Sequence, residues 1–173
     1  MLYFHCTQKL LRALNLPIQA PPERSGSSSL GVWYANIIVF KNMQFLLFVN
    51  TPTLYTVVFH FSGIANSAQV FKTFRDHLAA SLTSDGINQQ SIQQFLDDHE
   101  QGVFIKTTSR SMIGSMNDLI NIFLFHIDRN VADYNEIDLH KIQYALNRMP
   151  QRKIDWKFSV EAMEGSLQSR KVD

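Results

Sequence analysis

Hydrophobic and polar positions divide the chain into segments of two periods. "LYFHC" at the start is a short β-like run, and Thr7 after it is placed to cap a helix over "QKLLRALN". "LPIQAPPERSGSSSLG" then holds three of the five prolines and reads as an irregular loop, too early in the chain to divide two domains. "VWYANIIVF", "QFLLFVN" and "TLYTVVFHF" are rich in β-branched and aromatic residues and predict three strands, with "KNM" turning the first pair. Both faces of these runs are apolar in places, so the sheet is expected to be covered on both sides, one of them partly.

From Asn66 the period becomes helical. Val70, Phe71, Phe74, Leu78 and Leu82 form one stripe, and "SDG" stops it. Ile87, Ile92, Phe95 and Leu96 mark a weaker helix ending at "DDHE", and "GVFIKTT" predicts a strand that rejoins the sheet. A helix over residues 115–127 leaves only Asn121 and His126 polar in its apolar run, which predicts burial nearly all round. Another helix is expected from about Asn135 to Asn147, stopping at Pro150. Ile154, Trp156, Phe158 and Val160 alternate with polar residues and suggest a late strand, with a frayed tail after Glu164. The pattern predicts a single α+β domain over residues 1–173. Its mostly antiparallel or mixed sheet packs against several helices, one of them central and buried.

Composition narrows this picture. With 173 residues, 45% hydrophobic and 18% charged, the chain is globular, and thirteen phenylalanines predict an aromatic core. Sixteen basic and fifteen acidic residues give a net charge of +1. Net charge therefore does not favour nucleic acid as a partner, although it leaves room for a local basic patch. The single cysteine, Cys6, excludes an internal disulfide and fits a reducing compartment. The N-terminus lacks a basic segment ahead of an apolar one, and no apolar run approaches the ~18 residues of a membrane span. A cytoplasmic protein without membrane contact is the expectation.

The candidate chemistry gathers at "KTTSRSMIGSMNDLINIFLFHI", residues 106–127. Here a strand leads through Thr107, Thr108, Ser109, Arg110, Ser111 and Gly114 into the start of the apolar helix. Helix N-termini present unpaired N–H groups and partial positive charge, and Arg110 is a bidentate binder of phosphate or carboxylate, so an anion or nucleotide site is one reading. Gly114 would admit close approach. The other reading is structural. Ser115 and Asp118 have the spacing of a capping box, and Asp118 would satisfy the helix dipole itself and pair with Arg110.

Elsewhere, His5 and Cys6 are strand neighbours and point to opposite faces, so they cannot act as nucleophile and base. Cys6 reads as a small buried hydrophobe. Asn36, on one strand face with Tyr34, needs a hydrogen-bond partner if buried. The other five histidines show no metal-ligand spacing, and no phosphate-loop, dinucleotide or serine-hydrolase motif occurs, so neither metal nor cofactor is expected. The candidate ligand-binding residues are His5, Asn36, Arg110, Ser111, Ser115, Asn117 and Asp118. If the strand ends at His5, Asn50 and Thr107 converge, a pocket there would hold His5, Arg110, Ser111 and Asn117.

"FHCTQKLL", "LGVWYAN", "LLFVNTPTLYTVVF" and "TTSRSMIGSMNDL" occur in that order. Together they resemble a family of small uncharacterised bacterial proteins, a domain of unknown function, over residues 1–147. The resemblance leaves residues 148–173 as a C-terminal extension and implies no reaction. A binding or interaction module for an anionic small molecule or a protein partner fits best. The alternative is an enzyme acting on a nucleotide or RNA phosphate, in a toxin–antitoxin or phage-defence setting, with Arg110 stabilising charge and His5 or Asp118 as acid or base.

Overall fold

The apolar runs of the first half pair into one sheet because both of their faces can be buried. In the computed structural model, which describes residues 1–18, 29–64, 66–130 and 137–169, five strands lie in the order β4-β3-β2-β1-β5. They are β1 (Leu2–Cys6), β2 (Val32–Phe40), β3 (Met43–Asn50), β4 (Thr56–His60) and β5 (Gly102–Lys106). β1 runs parallel to both β2 and β5, while β2, β3 and β4 are antiparallel. The sheet is therefore mixed and the domain is α+β. Most of the irregular loop expected after the first helix falls outside the described residues.

Side-chain alternation splits the core into two layers. Leu2, Phe4, Cys6, Trp33, Ala35, Leu46 and Phe48 face α1 (Gln8–Ala13), α2 (Ser67–Ser84), α3 (Gln89–Asp97) and α6 (Ser159–Ser169). On this side Phe4 meets Phe48, Phe74 and Phe104 with ring centroids 5.4, 5.0 and 4.8 Å apart. Gly102 is required here, since an added Cβ would lie 2.5 Å from the Phe71 ring and 2.9 Å from Phe4. The other face, with Tyr34, Ile38, Phe45, Leu47 and Val49, packs against α4 (Arg110–Asn130) and α5 (Leu139–Leu146).

Edge strand β4 would leave backbone groups unpaired, and α5 satisfies them with side chains. Gln143 Oε1 accepts from the Val58 N–H at 2.8 Å. Asn147 Oδ1 accepts from the Thr56 N–H at 2.7 Å, and Asn147 Nδ2 donates to the Thr56 carbonyl at 2.9 Å. Beside this seal, Arg148 pairs with Asp85 at 2.7 Å, and the Tyr55 hydroxyl donates to the same carboxylate at 2.5 Å. Burial, with Asp85 alongside, pushes the Tyr55 phenol up.

Three expectations need correction. The helix of the opening polar stretch starts at Arg110, five residues before Ser115. It is also not buried all round: Met112, Met116, Leu119, Phe123 and Ile127 form the one buried stripe, and Phe125 is 54% exposed. A 21-residue helix lying on one sheet face can bury only one side. Finally, the late strand is mostly a turn. β6 (Pro150–Gln151) and β7 (Lys157–Phe158) form a two-stranded hairpin across a 3-10 turn at Arg152–Ile154, and the chain then becomes helical. Within α6, Leu167 is buried while Gly165, Gln168 and Ser169 are exposed, and residues 170–173 of the expected frayed tail lie outside the described residues. Residues 135 and 136, where the fifth helix was expected to begin, lie outside the described residues, and Asp138 caps α5 through the Lys141 N–H at 3.0 Å.

Candidate functional site

β1 and β5 end side by side, and their ladder continues one residue further through the Thr107 N–H to the Cys6 carbonyl at 2.9 Å. Alternation then places His5, Ile105 and Thr107 on the face that α4 covers. His5 lies against Tyr34 with ring centroids 4.9 Å apart and planes 20° from parallel. His5 is 7% exposed and Thr107 8%, yet neither His5 Nδ1 nor the Thr107 hydroxyl has a hydrogen-bond partner among the described residues. Buried polar groups are nearly always paired, so two orphans on adjacent strand ends mark a place with unused capacity. Burial lowers the His5 pKa, which keeps its imidazole neutral at pH 7, one nitrogen donating and the other accepting.

Two residues beyond Thr107, Ser109 caps α4. Its Oγ accepts from the Met112 N–H at 3.3 Å and its carbonyl from the Ile113 N–H at 3.1 Å. Among the described residues the N–H groups of Arg110 and Ser111 have no acceptor. These are the free donors that a helix N-terminus offers. From the far end of the chain, Lys153 Nζ reaches this turn and donates to the Ser111 carbonyl at 2.9 Å and the Ser111 Oγ at 2.8 Å. The carboxyl ends of the two parallel strands thus carry a neutral imidazole and a hydroxyl, and the α4 turn that follows β5 carries two backbone donors and the Lys153 ammonium.

The seven residues singled out from sequence do not form one pocket. His5 belongs to the buried pair with Thr107. Asn36 is used structurally, its Oδ1 accepting from Thr7 Oγ1 at 2.7 Å and from the Ile37 N–H at 2.9 Å, which ties β2 to the start of α1. Arg110 and Asn117, seven residues apart, are exposed on the solvent side of α4. Ser111 and Ser115 lie on its flank, and Ser115 Oγ donates back to the Ser111 carbonyl at 3.3 Å instead of capping anything. Asp118 is exposed and, among the described residues, forms no ion pair with Arg110. The eight residue steps from one to the other rise ~12 Å along a helix, too far for that pair or for neutralising the N-terminus. Asn50 lies in register with Trp33 and Phe4, on the opposite sheet face from His5, and is consumed by Leu30, Val32 and Thr53.

Tyr34 and Thr107 carry more of the site than their treatment in the sequence suggested. The signal for Thr107 was its place directly after a strand. Lys153 had none, because its contact spans 42 residues.

A family described as "Domain of unknown function (DUF6933)" matches residues 3–162. The chain belongs to this family. The DUF6933 match runs past Asn147, where the resemblance was expected to end, and takes in the hairpin and the first turn of α6. Both strand ends, the first turn of α4 and Lys153 therefore lie within the DUF6933 span. Comparison with curated proteins returns no match. No helix among the described residues is long and apolar enough to cross a membrane, and no three His, Cys, Asp or Glu side chains among them come together as metal ligands.

Proposed function

We propose that this DUF6933 domain is a binding module that takes a small anionic ligand, a nucleotide included, at the first turn of α4. The observation that carries the reading is the pair of buried, unpartnered polar atoms, His5 Nδ1 and Thr107 Oγ1, below a helix N-terminus with two free N–H groups. A phosphate or carboxylate would accept from the Arg110 and Ser111 N–H groups, with the Arg110 guanidinium and the Lys153 ammonium beside it. The neutral His5 and the Thr107 hydroxyl would then bind an uncharged part of the same ligand. Asp118 lies too far along α4 to compete for the dipole, which removes the main objection to an anion there. It also removes Asp118 as an acid or base, so an enzymatic reading is left with His5 alone. A bacterial setting, which the signature blocks imply, and a cytoplasmic one, which the single cysteine suggests, belong to the same proposal.

A thermal-shift screen tests this reading with inorganic phosphate, sulfate and mononucleotides on the wild type and Arg110→Ala. At 100 times its dissociation constant a ligand adds about 2.7 kcal/mol, an easily read rise in Tm. The expected result is a rise in the wild type that shrinks in a variant whose own Tm is unchanged, because Arg110 is exposed and its side chain makes no hydrogen bond or ion pair among the described residues. An equal rise in both proteins would move the ligand elsewhere.

A further inference from the structure

The hairpin of β6 and β7 carries a feature that its own packing does not account for. Asp155 and Trp156 both adopt left-handed backbone, with φ of 56° and 63°. Glycine and asparagine take that conformation cheaply, whereas a tryptophan there is strained. Nothing in the fold offsets the strain, since Trp156 is 66% exposed and makes no ring or cation contact among the described residues. Its backbone N–H closes the turn onto the Gln151 carbonyl at 3.0 Å, and the indole is held out into solvent.

The surroundings of this indole are cationic. Arg152, Lys153 and Lys157 are all exposed on the same short turn. Among the described residues Lys153 is bound only by neutral Ser111 oxygens and forms no ion pair, and Arg110 adjoins Ser111 on α4. Two carboxylates share the region. Glu161 accepts from the Phe158 N–H at 3.2 Å and so serves the start of α6, and Asp155 sits in the turn itself. A groove of about 680 Å³ runs between the turn and α6, with the cations of Lys153 and Lys157 and the carboxylates of Asp155 and Glu161 all in its walls. Both neighbours of Trp156, Asp155 and Lys157, line it.

We infer that this hairpin is a docking element for single-stranded nucleic acid, in which a base stacks on Trp156 while Lys153 and Lys157 hold adjacent phosphates along the groove. An exposed flat ring with cations on either side matches a strand that alternates flat bases with phosphates. A bilayer anchor would instead need a contiguous apolar face, and here the exposed Trp156 and Phe158 are separated by Lys157 and flanked by Asp155, with Ile154 half-buried. The net charge of +1 does not oppose a local patch of this kind. The site shares none of His5, Tyr34 and Thr107 with the proposed ligand site; Lys153 is common to both, so the variants at Trp156, Lys157 and Thr107 are the ones that tell them apart.

The test is fluorescence anisotropy with labelled ten-nucleotide dT and U strands at two salt concentrations, with tryptophan emission read in parallel. Trp33 is fully buried, so quenching on binding reports Trp156. Trp156→Ala is expected to weaken binding by about 5- to 150-fold, the range for losing one stacked base, with Trp156→Phe recovering part of it. Lys157→Ala should lower the salt slope by about 0.7, one phosphate contact on a single strand. Thr107→Val should bind the strands as the wild type does. Failure of the wild type to bind either strand, equal affinity in Trp156→Ala, or binding to phosphatidylserine vesicles in place of the strands would overturn the inference. Loss of strand binding in Thr107→Val with none in Trp156→Ala would also overturn it, placing the strand on α4.

Discussion

Thr107 and His5 bring polar atoms into the interior without using them, and each makes a separate prediction. A buried hydroxyl without a partner destabilises the ligand-free fold. Thr107→Val, which keeps the shape, should therefore raise stability by on the order of 1 kcal/mol in urea unfolding while weakening ligand binding. A loss of stability would mean that the hydroxyl serves the fold. For pH, burial is the first cause of a lowered pKa at His5, His60 and His77. Each therefore binds fewer protons folded than unfolded, so their contribution is full above the unfolded value of about 6.5 and is lost as pH falls below it. Urea midpoints should drop from pH 7.5 to pH 5.5. Because the His77 ring stacks on Phe59 at 4.9 Å, His77→Phe should keep the packing and flatten part of that drop.

Among the elements, α4 shows what the sequence could and could not supply. That it is an apolar helix was legible, though not that only one stripe of it is buried; the strands, the α2 stripe with its stop at "SDG" and the Thr7 cap were legible because each rests on local periodicity or local hydrogen bonding. The α4 start was misread because Ser115 and Asp118 imitate a capping box, while the true cap at Ser109 has no acidic residue three positions later. Extending the helix back to Arg110 places Gly114 inside it, where an added Cβ would meet nothing within 4 Å. Gly114→Ala should then stabilise the fold by about 1 kcal/mol, the ordinary helix-propensity gain, as read by thermal unfolding. A loss would mean that the backbone there needs the freedom of glycine. The late hairpin was illegible for a different reason. Its alternation of Ile154, Trp156, Phe158 and Val160 looks like a strand, yet two left-handed residues interrupt it, and neither is a glycine or an asparagine.

At the scale of the whole molecule, convergence separates the site that sequence proposed from the one that the fold assembles. Strand pairing brings the ends of β1 and β5 together across about a hundred residues, and α4 leaves that edge directly, so His5 and Thr107 share a face. Asn50 cannot join them, because antiparallel β3 presents it on the other side. The closing contact from Lys153 depends on a C-terminal turn folding back onto α4, which no periodicity announces. The central claim is that this edge holds an anion on the free N–H groups of the first α4 turn. Amide chemical shifts during a titration with inorganic phosphate test it most directly. The account predicts saturable shifts concentrated at the Arg110 and Ser111 amides, with the His5 ring signals following. Shifts absent from those amides, or scattered over the surface lysines without saturation, would contradict it.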